Sequence, residues 1–226
     1  MSGKVLDMSE VEVNDELISF DAFEKLDKST IAKFDAKGCE SLVSLDLPAA
    51  TKVDARGCDS LVSLDLPAAT WVYARDCKSL VSLNLPAATW VNASFCPSLV
   101  SLDLPAASSV YVRDCTSLVL LDLPAVIELD ASFCASLVSL DLPAATYVDA
   151  IGCESLVSLD LPAVTELDIS GCTSIVSLNL PAVTKVSFDG CTRLSPYKLS
   201  KVVQSMRDGE FKTTCPAPVV TSTPAP

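Results

Sequence analysis

The side chains best equipped for chemistry in this chain are its ten cysteines. Nine of them stand at a strict 19-residue interval: Cys39, Cys58, Cys77, Cys96, Cys115, Cys134, Cys153, Cys172 and Cys191. Thiols at fixed spacing can cross-link, hold a metal or attack an electrophile. Disulfides between neighbouring units need a torsion that side chains stacked in parallel seldom offer. A metal ladder would have to form with no histidine in the chain and no CxxC pair. A nucleophile needs a stabilised thiolate, whereas Asp76-Cys77 and Asp114-Cys115 put a carboxylate beside the thiol. The even period favours another use. Cysteine is among the most buried residue types and packs as a small hydrophobe, so one per unit makes a core column of free thiols. Inter-unit disulfides and a metal ladder stand as the alternatives. Cys215 alone lies off the period and is a candidate exposed, reactive or anchoring thiol. The lack of histidine also removes Ser-His-Asp and Cys-His catalysis. No GxxxxGK[ST] or GxGxxG string occurs. The chain is therefore expected to be no enzyme and to carry no cofactor.

Numbering each unit from its Cys as position 1 exposes two further columns. Position 8 reads Asp46, Asp65, Asn84, Asp103, Asp122, Asp141, Asp160, Asn179. Unit charges ~4.8 Å apart in water repel by roughly 0.9 kcal/mol before salt screening. The column reads first as a soluble, edge-resistant face. The alternative is a cation ladder through Asp103, Asp122, Asp141 and Asp160, since Ca²⁺ takes only oxygen ligands. Position 13 carries Thr51, Thr70, Thr89, Ser108, Thr146, Thr165 and Thr184. Threonine arrays on flat solenoids resemble ice-binding surfaces, but those usually pair two columns and this chain has one.

Positions 14 and 16 vary freely. They bring Trp71, Tyr73, Trp90 and Tyr111 to one outward face, with Asn92 among them and Arg75 and Arg113 two residues further along. Aromatics beside arginine are enriched in binding hot spots. They also suit strand surfaces with no ligand at all. The expected partner site is thus Trp71, Tyr73, Arg75, Trp90, Asn92, Tyr111 and Arg113, taking a protein or a glycan. Self-association to a homo-oligomer and plain sheet stabilisation are the alternatives.

The elements that position these columns follow from apolar spacing. The apolar positions are 1, 4, 7, 9, 12, 15 and 17, in the first unit Cys39, Leu42, Leu45, Leu47, Ala50, Val53 and Ala55. A spacing of two keeps both side chains on one face of a strand, and a spacing of three carries the chain round a bend. No 3.6-residue pattern survives. Each unit is therefore one coil with two short strands, centred on positions 7–9 and 15–17, and Pro48 and its seven equivalents end the first. Stacked coils give an all-β solenoid, leucine-rich-repeat-like, with two parallel β-sheets, about eight 19-residue coils and terminal caps. Eight coils would span roughly 38 Å at ~4.8 Å per rung. The expected layout is an N-terminal cap and half coil over 1–38 and eight repeats over 39–190. A C-terminal capping coil and helix over 191–210 and a disordered Pro-rich tail over 211–226 complete it. Within the first segment residues 14–27 are expected to form a covering helix with Leu17, Ile18, Phe20, Phe23 and Leu26 inward.

The segment Leu42-x-x-Leu45-x-Leu47, repeated in every coil, resembles the LxxLxL core of leucine-rich repeats. The fuller string, Cys-x-Ser-Leu-x-Ser-Leu-x-Leu-Pro followed by Thr-x-Val, resembles the BspA-like bacterial branch. The unit is shorter than that branch's roughly 23 residues, within the leucine-rich range, and its Ala-Phe pair before the Cys is missing. The resemblance covers about two-thirds of the chain. It implies a surface or secreted module that binds protein or matrix partners.

Charge narrows the partners. The net charge is −13, and residues 39–190 hold 18 acidic against 6 basic side chains, while 191–226 are net +3. Nucleic acid is not expected, because its binding rests on Lys and Arg contacts to phosphate, and an anionic membrane surface is disfavoured for the same reason. No apolar run reaches the ~18 residues of a membrane-spanning helix. The stretch MSGKVLDMSEVEVNDELI has acids where a secretory signal needs an unbroken apolar core. Free thiols favour the cytoplasm and the resemblance favours the cell surface or secretion, so the compartment stays open.

Overall fold

A computed structural model of the chain describes residues 10–194. The nine periodic cysteines lie one above another, and every coil contributes one strand to each of two sheets. The first strand occupies positions 6–8 (Ser44–Asp46 in coil 1) and the second positions 14–16 (Lys52–Asp54). Both pair in register with the strand 19 residues away, Leu45 with Leu64 and Val53 with Val72, so like residues form columns. The solenoid with parallel sheets is as the repeat predicts, and each strand is centred one residue earlier than its apolar spacing suggests.

All seven apolar positions of coil 1 are buried, and the cluster runs unbroken from Val11 to Leu194. A single coil has one layer of side chains and no second layer to cover it. Its three leucines, at roughly 2 kcal/mol each for full burial, become core only when another coil sits above and below. Turns close each bend with local backbone bonds, as from Ala50 N–H to the Leu47 carbonyl.

The two sheets differ in continuity. The second sheet runs through eleven strands, including the N-terminal hairpin, without a gap. The first sheet falls into three pieces, coils 1–3, coils 4–5 and coils 6–8. Each piece holds two aspartates of the position-8 column: Asp46 and Asp65, Asp103 and Asp122, Asp141 and Asp160. Where a third member joins a piece it is asparagine. Asn84 Nδ2 donates to Asp65 Oδ1 and Asn179 Nδ2 to Asp160 Oδ1, both at 2.8 Å.

The N-terminal region departs from the expected helix. Strand β1 (Glu10–Val13) and β2 (Glu16–Ser19) form an antiparallel hairpin. Its two-residue turn, Asn14-Asp15, has positive φ at both residues, the conformation that matches the twist of paired strands. Strand β1 then pairs antiparallel with β3 (Lys33–Asp35), which closes the edge of the second sheet. Of residues 14–27 only the five of α1 (Phe20–Glu24) are helical, with Ser19 capping the Ala22 N–H, and a short 3-10 turn follows at Lys28–Thr30. Phe23 is buried against Phe34, whereas Leu17 and Leu26 are exposed. The alternating run Val11–Ile18 and the Asn-Asp turn outcompete a helix that would have no second face to bury. The expected C-terminal helix and Pro-rich tail lie outside the described residues, as does Cys215.

Candidate functional site

The thiol column is a structural device. Cys58, Cys77, Cys96, Cys115, Cys134, Cys153, Cys172 and Cys191 each point Sγ at the carbonyl oxygen of the residue 22 positions earlier, at 3.0–3.2 Å. Those carbonyls, from Ala36 to Ile169, belong to position 17 at the buried bend; Ala36, Val112, Ala131, Ala150 and Ile169 also accept the N–H of the cysteine three residues on, while Ala55, Ala74 and Ala93 take the thiol without that bond. The nine cysteines of the column are all free and buried. Burial pushes the Cys58 and Cys115 thiols up to about 12, far from a reactive thiolate.

The carboxylate column is not continuous along the first sheet. The break between coils 5 and 6 parts Asp122 from Asp141, inside the run Asp103, Asp122, Asp141, Asp160. No group of three metal-ligating side chains occurs among the described residues. The threonine column spends its protons internally. Thr70 Oγ1 donates to the Thr51 carbonyl at 3.3 Å and Thr89 to Thr70 at 3.1 Å, each stitching one coil to the one before.

The aromatic cluster assembles on the second sheet because position 14 of coil 2 lies beside position 14 of coil 3. Trp71 and Trp90 stack 4.9 Å apart with their planes 6° from parallel. Tyr73 meets both edge-on at 5.8 Å, and Tyr111 tilts against Trp90 at 5.7 Å. All four are half-buried rather than fully exposed. The stack runs along the solenoid, so the indoles turn their edges outward and keep their faces for one another. Lys52 caps the free face of Trp71 at 4.7 Å, and Arg56 lies 4.2 Å from the Tyr73 ring. Arg56 is held by Asp54 through Nε at 2.8 and 3.0 Å. Tyr111 donates its hydroxyl to Glu128 Oε1 at 2.9 Å. Its partial burial and that carboxylate hold the hydroxyl above its usual pKa.

A hollow of about 360 Å³ opens beside this cluster, between Trp71 and Tyr73 on one side and Glu12 and Asp15 of the hairpin on the other. Lys33, Lys52, Asp54 and Arg56 line it as well.

Three expected site residues sit elsewhere or do other work. Arg75 stacks on Phe95 at 4.6 Å and pairs with Asp76 at 3.0 Å. Arg113 stacks on Phe133 at 5.0 Å and pairs with Asp114 at 3.5 Å. Both thus belong to a ridge along the bend before the cysteines, not to the tryptophan stack. Asn92 Oδ1 accepts the Ser94 N–H at 3.1 Å, the turn that Asp54, Asp130, Asp149 and Asp168 also make. Lys52, Arg56 and Glu128 are members that the sequence reading left out. The alternation of Arg-Asp-Cys (75–77, 113–115) with Ser-Phe-Cys (94–96, 132–134) was the available signal for the ridge.

Repeat, register and paired sheets define a leucine-rich-repeat-type β-solenoid. The chain is similar to a solved leucine-rich repeat protein of T. pallidum, TpLRR. The likeness covers 80% of this chain and 91% of that one at 22% identity, with a TM-score of 0.49. It is also similar to a leucine-rich repeat protein of Bacteroides ovatus, over 90% of each chain at 18% identity and a TM-score of 0.30. No protein-family model matches the chain, and no curated protein does.

Proposed function

We propose that the chain is a non-catalytic binding scaffold and that its second sheet takes a protein partner at Trp71, Trp90, Tyr73 and Tyr111. The observation that carries this reading is the edge-out indole stack beside the 360 Å³ hollow. Large, rigid, half-buried aromatics next to a concavity are the usual anchors of a protein interface. The same geometry favours protein over glycan, because a sugar ring stacks on a flat aromatic face. Here Lys52 and Trp90 cover the two faces of Trp71.

The test is a Trp71→Ala/Trp90→Ala variant beside the wild type. Both are compared for far-UV circular dichroism, oligomeric state and capture of partners from the native source. A partner held by the wild type and lost by a folded variant supports the reading. Equal capture by both assigns the stack to sheet stabilisation alone.

A further inference from the structure

Position 5 is valine in all eight coils, and no column assigned above uses it. Val43, Val62, Val81, Val100, Val119, Val138 and Val157 are 38–56% exposed. They form an apolar row along the first sheet's edge, bonded in register within each of its three pieces and interrupted at the same two junctions. Leu120, 59% exposed, stands beside Val119 at the one place where the position-6 serine column is broken. A row of this kind has a cost in solubility, and no described element covers it.

We infer that the valine row is the seam of a homodimer. The argument for a second copy is spacing and area. Coils repeat at ~4.8 Å, so β-branched methyls recur at that interval over roughly 30 Å. Only a row with the same interval can stay in contact rung for rung along that length without drifting out of step, as stacked sheets do in a dry zipper. Every copy of this chain carries such a row. The exposed valine and leucine surface is on the order of 400 Å², taking ~100 Å² per side chain. A standard interface buries ~800 Å² per partner, of which ~65% is apolar in homodimers. The row supplies most of that apolar share, and the flanking serines contribute to the rim.

Charge selects the arrangement. Each copy carries an acidic column at position 8, three residues from the row. Two copies related by a two-fold axis parallel to the solenoid place these columns on opposite flanks of the seam, and each coil then meets the same coil of its partner. An antiparallel pairing of the two faces would set carboxylate over carboxylate. The seam leaves the second sheet open in both copies, so this proposal does not depend on the aromatic reading.

The test is sedimentation velocity of the full chain over a dilution series at low and high ionic strength. A monomer–dimer equilibrium that tightens with salt is expected, because each copy is net −13. Val81→Lys/Val119→Lys should be monomeric throughout and keep the circular dichroism of the wild type. Both positions are exposed, so the charge has no core to disrupt. In a Cys215→Ser background, Val62→Cys should give a disulfide-linked dimer under mild oxidation, because coil 2 meets coil 2. Trp71→Ala/Trp90→Ala should dimerise like the wild type. A wild type monomeric at every concentration would overturn the proposal. So would a dimer that survives the lysine substitutions or fails to cross-link at Val62→Cys. A dimer lost in the tryptophan variant would move the seam to the aromatic face and overturn it as well.

Discussion

At the scale of single residues, cysteine fits the apolar inner corner of the coil and also donates to the carbonyl there. The Ala93 carbonyl, which takes the Cys115 thiol, receives no turn N–H, so alanine at position 115 would leave it buried and unsatisfied, a loss of about 1–3 kcal/mol. Cys115→Ala should therefore lower stability by roughly 2 kcal/mol in urea titrations with an unchanged m-value, a larger effect than its lost volume alone would give. The thiols also make the fold sensitive to alkali. The Cys58 and Cys115 thiols stay protonated to about 12 when folded. In the unfolded chain they ionise near 9.0. Between those values the unfolded state binds fewer protons, so stability falls as pH rises, by up to about 1.4 kcal/mol per pH unit for each such thiol. Chemical denaturation measured from pH 7 to 11 should show a flat region followed by a steep loss above 9.0. A stability independent of pH there would mean that the thiols are not the buried donors described. A second residue-scale feature is backbone strain. Asp76, Phe95, Asp114 and Phe133 take φ of +58° to +62° at position 19, where coils 1 and 6–8 use glycine. The arginine stacks on Phe95 and Phe133, and the Phe133 ring over Gly152, offset that strain by packing.

At the scale of the element, the breaks in the first sheet are the main departure from a uniform ladder. At the junction of coils 5 and 6 a third aspartate, Asp141, would stack on the paired Asp103 and Asp122. The junction of coils 3 and 4 sets Asp103 against Asn84, so carboxylate repulsion does not account for that break. Elsewhere asparagine is admitted with its amide turned to the carboxylate below. Repulsion of roughly 0.9 kcal/mol per neighbouring pair is comparable to the net value of the hydrogen bonds it would oppose. Replacing the charge should mend the junction. Asp141→Asn is expected to raise stability by about 0.5–1 kcal/mol, with slower amide exchange at Leu123 and Val138 beside the junction. Exchange unchanged from wild type would separate the break from the charge column. These junctions were not legible in the residues, since the Cys-to-Pro string is nearly the same in every coil. The alternation of apolar residues showed which side chains point inward, from Cys39 to Ala55. It did not show that Val43 and its equivalents point out, because a valine at a bend looks the same whichever way it faces. The N-terminal misreading has a similar cause. Leu17, Ile18, Phe20 and Phe23 fit a helical face on paper, and the Asn14-Asp15 turn that decides against it is only two residues long. The aromatic cluster was legible, because fixed register makes residues 19 apart neighbours. The destinations of Arg75 and Arg113 were not, because they depend on side-chain direction at a bend.

At the scale of the whole molecule, register and edges pull in different directions. Each coil touches only its neighbours, so the stack tolerates a change in length but not an uncovered end. Deleting residues 115–133 removes one full coil and joins Asp114 to Cys134, which restores the period. The shortened chain should fold with the same circular dichroism and a long axis ~5 Å shorter by small-angle scattering. Deleting residues 1–19 removes no coil, yet it strips β1 from β3 and leaves a parallel sheet edge with the ladder groups of Lys33–Asp35 that faced β1 open. That edge is a template for another chain, and neither the net charge nor the seam proposed for the valine row covers it. The truncated protein is expected to form end-to-end assemblies that grow with concentration, seen as species beyond a dimer in light scattering. Restoring β1 as a fused hairpin should return the size distribution of the full chain. If the truncated chain instead stayed as well dispersed as the full one, β3 would not be a vulnerable edge. The hairpin would then have to be explained by the walls that Glu12 and Asp15 give the hollow beside Trp71, which would tie the cap to binding rather than to folding.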